Sequence, residues 1–320
     1  MNILAQLDGV ELVPLKPDLP FGAEVRGLNR EHLEDQAVRS AVNALLVQAG
    51  VIYFRGEDTH EMQLEISKCI GELEHFPYPE TWVENHPELV EIKYFPDNGT
   101  CYEVDGECLG GWVPWHTDLI YTDAINRGGV LRPKQLSQHG GKTGFLDQIL
   151  AYERLPEELR HRIADLHVVY SPDINLANSR FAGFRQVRFI RGARSFNEII
   201  KRVYQRPLVL HPLVYVQKES GRKVLNFSPG FAQGIYELGG PEGEALLTEV
   251  ASYCASEDYA YYHAWQPGDM VLWDNWRVLH CATGIPVDEE RVMYRTTISG
   301  DYKLGRRLRW ETGELEKIEI

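Results

Sequence analysis

The chain has 320 residues, 43% of them hydrophobic and 25% charged, and its 33 Lys and Arg against 47 Asp and Glu give a formal net charge of −14. Such a length can bury a large internal site in one domain, and the acidic balance argues against nucleic acid or an anionic membrane as partner. An anionic small substrate would have to meet a local cationic pocket.

In chain order, Phe21–Val25 reads as a strand, and Leu33, Val38, Val42, Leu45 and Leu46 recur at helical spacing over 31–48, with Gly50 as the stop. Val51–Phe54 follows as a buried strand. Asp58 or Thr59 caps a second helix carrying Met62, Ile66, Cys69 and Ile70, which ends near Gly71. Residues 76–114 are broken by Pro77, Pro79, Pro87, Pro96, Asn98-Gly99 and Gly110-Gly111, with one strand expected at Val90–Phe95. This stretch is either a lid or pocket wall or an ordinary surface excursion. Its Tyr94, Tyr102 and Trp112 either face a substrate or pack in a core.

A strand near 130–137 leads to the turn Gly140-Gly141-Lys142-Thr143. A helix is expected over 156–166, with Pro156 in its first turn and Leu159, Ile163 and Leu166 on one face. Residues 171–206 hold Arg180, Arg185, Arg188, Arg191, Arg194, Arg202 and Arg206 without clean periodicity, as a mobile insertion over a site or a solvated basic segment. Leu208–Phe227 reads as two strands joined at Glu219-Ser220-Gly221, and Pro241 opens a helix over 241–255. Tyr261–Trp265, Met270–Trp273 and Arg291–Ser299 read as strands, the first two joined by the turn Gln266-Pro267-Gly268-Asp269.

Many short strands with a few helices predict a β-rich α+β fold with a double-stranded β-helix (jelly roll) core and flanking helices, as one domain over 1–320. A doubly wound parallel sheet is the weaker alternative, since strand and helix do not alternate and no Gly-x-Gly-x-x-Gly occurs. The five cysteines (Cys69, Cys101, Cys108, Cys254, Cys281) include no C-x-x-C pair, so neither a disulfide framework nor a zinc ribbon is expected. The first residues show no basic segment followed by an apolar one, and no apolar run approaches ~18 residues. The expected setting is reducing and cytoplasmic, with assembly into a homo-oligomer left open.

The chemistry gathers at Trp115-His116-Thr117-Asp118. On an extended segment His116 and Asp118 share a face, so an imidazole and a carboxylate could grip one side of a metal ion. The same spacing occurs at His32/Glu34, inside a helical pattern, and at His86/Glu88, where Pro87 reads as a turn. Only His116/Asp118 has an aromatic, Gly-rich lead-in and partners downstream. Alone, His280 in its apolar run would pass for a core histidine. Beyond it, Arg291, Met293 and Arg295 share a face of an extended segment. Two guanidinium groups side by side repel and neither sheds its charge, so turned inward they demand anions, and carboxylates suit them. The alternative is an exposed arginine face paired with surface acids.

Together, Trp115–Asp118, Gly140–Thr143, Pro267-Gly268-Asp269, Trp273-Asp274-Asn275, Leu279-His280 and Arg291-x-Met293-x-Arg295-Thr296 resemble the TauD/TfdA-type (taurine dioxygenase and 2,4-dichlorophenoxyacetate dioxygenase) family of iron(II)/2-oxoglutarate-dependent oxygenases. The likeness extends to Phe21–Val25 and Val51–Gly56. It implies iron(II) on His116, Asp118 and His280 in a two-His-one-carboxylate arrangement with three open positions, for 2-oxoglutarate and dioxygen. It implies that Arg291 clamps the far carboxylate of 2-oxoglutarate with help from Thr143. Arg295 matches an arginine that contacts the substrate's acidic group in some members, and it is carried as a ligand of either 2-oxoglutarate or substrate. The implied reaction is oxidative decarboxylation of 2-oxoglutarate to succinate and carbon dioxide, coupled to oxidation of a C–H bond: hydroxylation, or desaturation or ring formation. The metal carboxylate Asp118 argues against halogenation. The expected substrate is a small acidic or amino-acid-like molecule, in a pocket built from 76–114 and 171–206, with Arg295, Trp112, Tyr94 and Tyr102 as candidate contacts. The rivals are a zinc-dependent hydrolase, which has no need of an arginine eleven residues past its last ligand, and a non-catalytic metal-binding jelly roll.

Overall fold

The first long helix forms where its apolar spacing puts it. It runs Gln36–Ala49 behind a 3-10 turn at His32–Glu34, with Asp35 accepting the Ala37 N–H at its start and Gly50 at φ 76° ending it. Both devices satisfy backbone groups that a helix end leaves open. Thr59 does the same for the helix His60–Lys68, accepting from Met62 N. The structure, a computed structural model, describes residues 3–182, 185–203 and 206–308, the side chain of residue 197 excepted. Residues 183–184 and 204–205 of the arginine-rich stretch lie outside the described residues.

Two sheets build the centre. The larger has the order Glu11–Pro14, Ala23–Arg26, Val51–Arg55, Asp269–Asp274, Gly128–Gln135, Arg291–Thr296, His86–Tyr94, Trp82–Val83. The smaller has the order Tyr261–His263, Thr143–Asp147, Val278–Ala282, Val113–His116. Phe145 and Val278 of the smaller sheet share one apolar cluster with Tyr53, Leu131, Val271, Trp273 and Met293 of the larger, so the facing sides of the two sheets form a common core. The turn Gln266–Asp269, with Gly268 at φ 88° and Asp269 N bonded to Gln266 O, carries the chain from one sheet to the other. The helices Gln36–Ala49 and His60–Lys68 cover the outer side of the larger sheet through Val42, Leu46, Met62 and Ile66.

The described residues form a β-rich α+β fold, more regular than the sequence suggests. Residues 76–114 contain the hairpin Cys101–Val104/Glu107–Gly110, which joins Val187–Arg191 and Ile285–Pro286 in a separate sheet. The two irregular stretches therefore pair with one another. Arginines of the second one meet acids: Arg180 with Glu244, Arg185 with Asp105, Arg188 with Glu103, Arg202 with Glu80. The expected helix over 156–166 is shorter, Glu157–Ile163, with Pro156 as its cap and a further helix Gln148–Arg154 before it. Of the two strands expected in 208–227, only Val214–Val216/Lys223–Leu225 make the hairpin, whereas Leu208–Pro212 pairs with His167–Tyr170.

All five cysteines are free thiols. Among the described residues no helix is long and apolar enough to cross a membrane.

Candidate active site

His116 is the last residue of the strand Val113–His116, and its register partner is His280, in the middle of Val278–Ala282. Paired residues of neighbouring strands point to the same side, and the two rings stand 4.1 Å apart between centroids. His116 Nδ1 lies 2.8 Å from the Pro114 carbonyl oxygen. That contact places the proton on Nδ1 and leaves the Nε2 lone pair for a metal.

Asp118 departs from the expectation that the segment is extended. The strand ends at His116, and Asp118 sits in the turn that follows, beside Leu119 at φ 54°. Asn275 fixes it from across the molecule: its side-chain oxygen accepts Asp118 N–H at 2.9 Å and its amide donates to Asp118 O at 3.0 Å. Carboxylate oxygen Oδ1 then faces both imidazoles, 3.6 Å from His116 Nε2 and 3.7 Å from His280 Nε2. The ligand atoms of the three side chains all lie within 4.8 Å of one another.

The charges suit a cation. Burial would raise the Asp118 carboxyl, but the charge of Arg295 and the two histidines hold it well below the usual carboxylate range. Burial, with His116 adding to it, lowers His280 to about 4 and keeps that ring neutral, the form a metal binds.

Arg291, Met293 and Arg295 do face inward, with Met293 in the shared core and both arginines buried. The exposed arginine face is thereby excluded. The two cations have different fates. Arg295 Nη1 donates to Asp118 Oδ2 at 2.6 Å and its guanidinium lies 4.5 Å from the Phe76 ring centroid, so it is engaged with the Asp118 carboxylate. Arg291 Nε and Nη2 are buried without a hydrogen-bond partner, and burial lowers this group only to about 10, so it stays charged at neutral pH. A buried cation without a counter-ion costs several kcal/mol, which makes Arg291 a receptor for an anion. It borders a small cavity of about 30 Å³ with Tyr94, Gly110, Gly141 and Gly284. Gly141 has φ 64°, and a Cβ there would come 2.8 Å from Ser137 Oγ and 3.3 Å from Arg291 Cδ.

Thr143 is on the same side of its strand as Phe145, the register partner of His280. Its hydroxyl oxygen accepts from Trp265 Nε1 at 3.0 Å, which leaves the hydroxyl proton to donate elsewhere.

The aromatic candidates divide between the Arg291 cavity and a core. Tyr94 borders the Arg291 cavity, with its hydroxyl donating to Val287 O and accepting from Arg191 Nη2. Tyr102 and Trp112 pack on each other and Tyr102 also packs on Phe189, in the core of the hairpin sheet. The Tyr102 hydroxyl is occupied by the backbone of Ile174 and Leu176. Trp112 also lines a cavity of about 360 Å³ with Pro114, Trp115 and Cys281. The rings that stand nearest the three candidate ligands and Arg295 carry no sequence signal: Phe231, 5.9 Å from the His116 ring; Tyr121, 5.1 Å from Phe231; and Phe76, beside Tyr78. The Tyr78 and Tyr121 hydroxyls interact with each other, and the Arg206 guanidinium lies 5.4 Å from the Tyr78 ring centroid. Asn275 was visible only as part of a longer motif.

A profile of the family described as "Taurine catabolism dioxygenase TauD, TfdA family" matches residues 11–297. The chain belongs to the TauD/TfdA family. It is an iron(II)- and 2-oxoglutarate-dependent dioxygenase, an oxidoreductase whose co-substrates are 2-oxoglutarate and dioxygen. Among its relatives are the (S)-phenoxypropionate/alpha-ketoglutarate-dioxygenase of Sphingobium herbicidovorans, 29% identical over 91% of this chain and 95% of that one. Another is the alpha-ketoglutarate-dependent 2,4-dichlorophenoxyacetate dioxygenase of Cupriavidus pinatubonensis, 28% identical over 90% and 97%. The crystal structure of a taurine dioxygenase from Burkholderia xenovorans superposes with a TM-score of 0.67 at 25% identity, covering 96% of this chain and 95% of that one. In a TauD/TfdA enzyme the donor set of His116, Asp118 and His280 fits iron(II), and the unpartnered Arg291 fits a carboxylate of 2-oxoglutarate.

Proposed function

We propose that His116, Asp118 and His280 hold the iron, that Arg291 and Thr143 hold the far carboxylate of 2-oxoglutarate, and that the enzyme oxidises a C–H bond of a small acid. The buried, unpartnered Arg291 guanidinium on the same strand face as Arg295 carries the assignment. A zinc hydrolase or a non-catalytic metal-binding protein would leave that cation buried with nothing to neutralise it. The bound iron supplies the oxidising chemistry once 2-oxoglutarate and dioxygen are present. The chain's part is placement: Asp118 offers Oδ1 because Arg295 occupies Oδ2, Arg291 orients the co-substrate, and the Phe231–Tyr121 wall keeps water from the face where the substrate's C–H bond must lie.

In this proposal residues 1–320 form one domain around a double-stranded β-helix (jelly roll), in a cytoplasmic setting. The sheet of Cys101–Val104, Glu107–Gly110 and Val187–Arg191 is its lid or pocket wall. The rings of Phe76, Tyr78, Tyr121 and Phe231 suit a substrate with a flat apolar body, as do relatives named for phenoxypropionate and 2,4-dichlorophenoxyacetate. With Arg295 engaged by Asp118, Arg206 over Tyr78 is the cation for the substrate's acidic group.

Anaerobic addition of iron(II) and 2-oxoglutarate tests the site through the weak visible charge-transfer band of the chelate. Its absence from folded, iron-loaded protein would sink the assignment. For the substrate, an aryloxyalkanoic acid should stimulate 2-oxoglutarate consumption, and Arg206→Gln should raise its KM with little change in the KM for 2-oxoglutarate. Equal effects on both would remove Arg206 from the substrate pocket.

A further inference from the structure

A second donor set lies away from this site. His86-x-Glu88, whose Pro87 reads as a turn in the sequence, instead opens the strand His86–Tyr94, and it does so against His60, the first residue of the helix His60–Lys68. His60 Nε2 stands 3.1 Å and His86 Nδ1 3.2 Å from the same oxygen, Glu88 Oε1, and the three ligand atoms lie within 4.8 Å of one another. The imidazole centroids are 4.6 Å apart. Tetrahedral bonds of ~2.0–2.2 Å separate neighbouring donors by about 3.3–3.6 Å. These two separations fall only a few tenths of an ångström short of that spacing. All three side chains reach solvent in part, which leaves room for water as a fourth ligand.

An ion here would act on the fold around the active site. The loop between His60–Lys68 and His86 carries Phe76, which lies on Arg295, and Tyr78, which lies under Arg206. Gln63 of the helix donates to the carbonyls of Val130 and Tyr294, and Ser67 bonds Thr296. On the strand side, Leu89 pairs with Thr296, next to Arg295. One ion held at both ends of the segment 60–86, helix and loop together, removes conformational freedom from the wall it carries.

The geometry points to a second divalent-metal site at His60, His86 and Glu88, which takes a borderline d-block ion such as zinc(II) and staples the helix to the strand beside the substrate wall. Two imidazoles and a carboxylate favour zinc, nickel or copper over magnesium or calcium.

The test uses the full chain with its iron triad disabled by His116→Ala and Asp118→Ala, titrated with zinc chloride in a calorimeter. One zinc per chain should bind, and adding His86→Ala or, separately, Glu88→Gln should weaken it at least tenfold. In the protein with an intact triad, His86→Ala should lower the zinc stoichiometry from two to one. Zinc should also slow amide exchange over residues 71–85 in the double variant and not after His86→Ala is added. No zinc binding by the double variant, or binding unchanged by His86→Ala, overturns the site; unchanged exchange overturns the staple. The His86 side chain is 49% exposed, so the alanine variant should keep its fold, which equal thermal unfolding in chelator verifies.

Discussion

The molecule holds two His-x-acid pairs that each meet a distant histidine, and they differ in everything but that spacing. At His116/Asp118 every group is fixed by something else: Pro114 O orients one ring, Asn275 grips the Asp118 backbone, and Arg295 takes one carboxylate oxygen. The side chains of His116, Asp118 and His280 are each only 11% exposed. At His86/Glu88, one carboxylate oxygen is shared by two imidazoles, with the His86 and Glu88 side chains 49% and 24% exposed. The buried site can hold an oxidisable metal away from bulk water and direct its reactivity, whereas the open one suits an exchangeable ion with a structural effect. Ligand spacing names a metal site; burial, flanking cations and outer hydrogen bonds decide its chemistry.

Substitutions can break or sharpen this contrast. The largest effect is expected from His116→Ala, which should lower succinate formation by at least about a thousandfold, since the two protein ligands that remain do not suffice to hold the iron; near-normal turnover would reverse the ranking of the two sites. Arg291→Gln should raise the half-saturating 2-oxoglutarate concentration by roughly 10–150-fold, the equivalent of a charged hydrogen-bond pair of about 1.5–3 kcal/mol. An unchanged requirement would mean that the clamp lies elsewhere. Asn275→Ala should weaken iron binding by about 10–100-fold, the usual cost of removing an outer-shell partner, and iron titration of the chelator-treated protein measures it. Without 2-oxoglutarate, Arg291→Met should raise Tm by roughly 2–4 °C, because an uncompensated buried charge is removed, and a fall in Tm would show a counter-ion for Arg291. The smallest effect belongs to the open site: His86→Ala in iron-loaded enzyme should leave turnover within about twofold. A large loss there would tie the two sites together.

Regularity within an element was readable. The helix Gln36–Ala49 with its Gly50 stop, the Thr59 cap and the Pro267-Gly268 turn follow from local chemistry. So does the inward face of Arg291, Met293 and Arg295, because side chains alternate along any strand. Alternation failed where the element ended: Asp118 reaches the two imidazoles from a turn, and Asn275, 157 residues away, puts it there. It also said nothing about which rings meet across the fold: Tyr102 and Trp112 pack on each other, while Tyr121 and Phe231 come together beside His116.

The sequence by itself determined the candidate ligand types, the inward pair of arginines and the family, since these depend on residue identity and on periodicities that operate within a few residues. Only the tertiary structure decided which arginine is free. Arg291 and Arg295 are equivalent in any pattern, but packing delivers Asp118 to Arg295 across 177 residues and leaves Arg291 without a counter-charge. It likewise brought His60 to His86 and Glu88, because a helix start and a strand start meet only once the sheet is assembled.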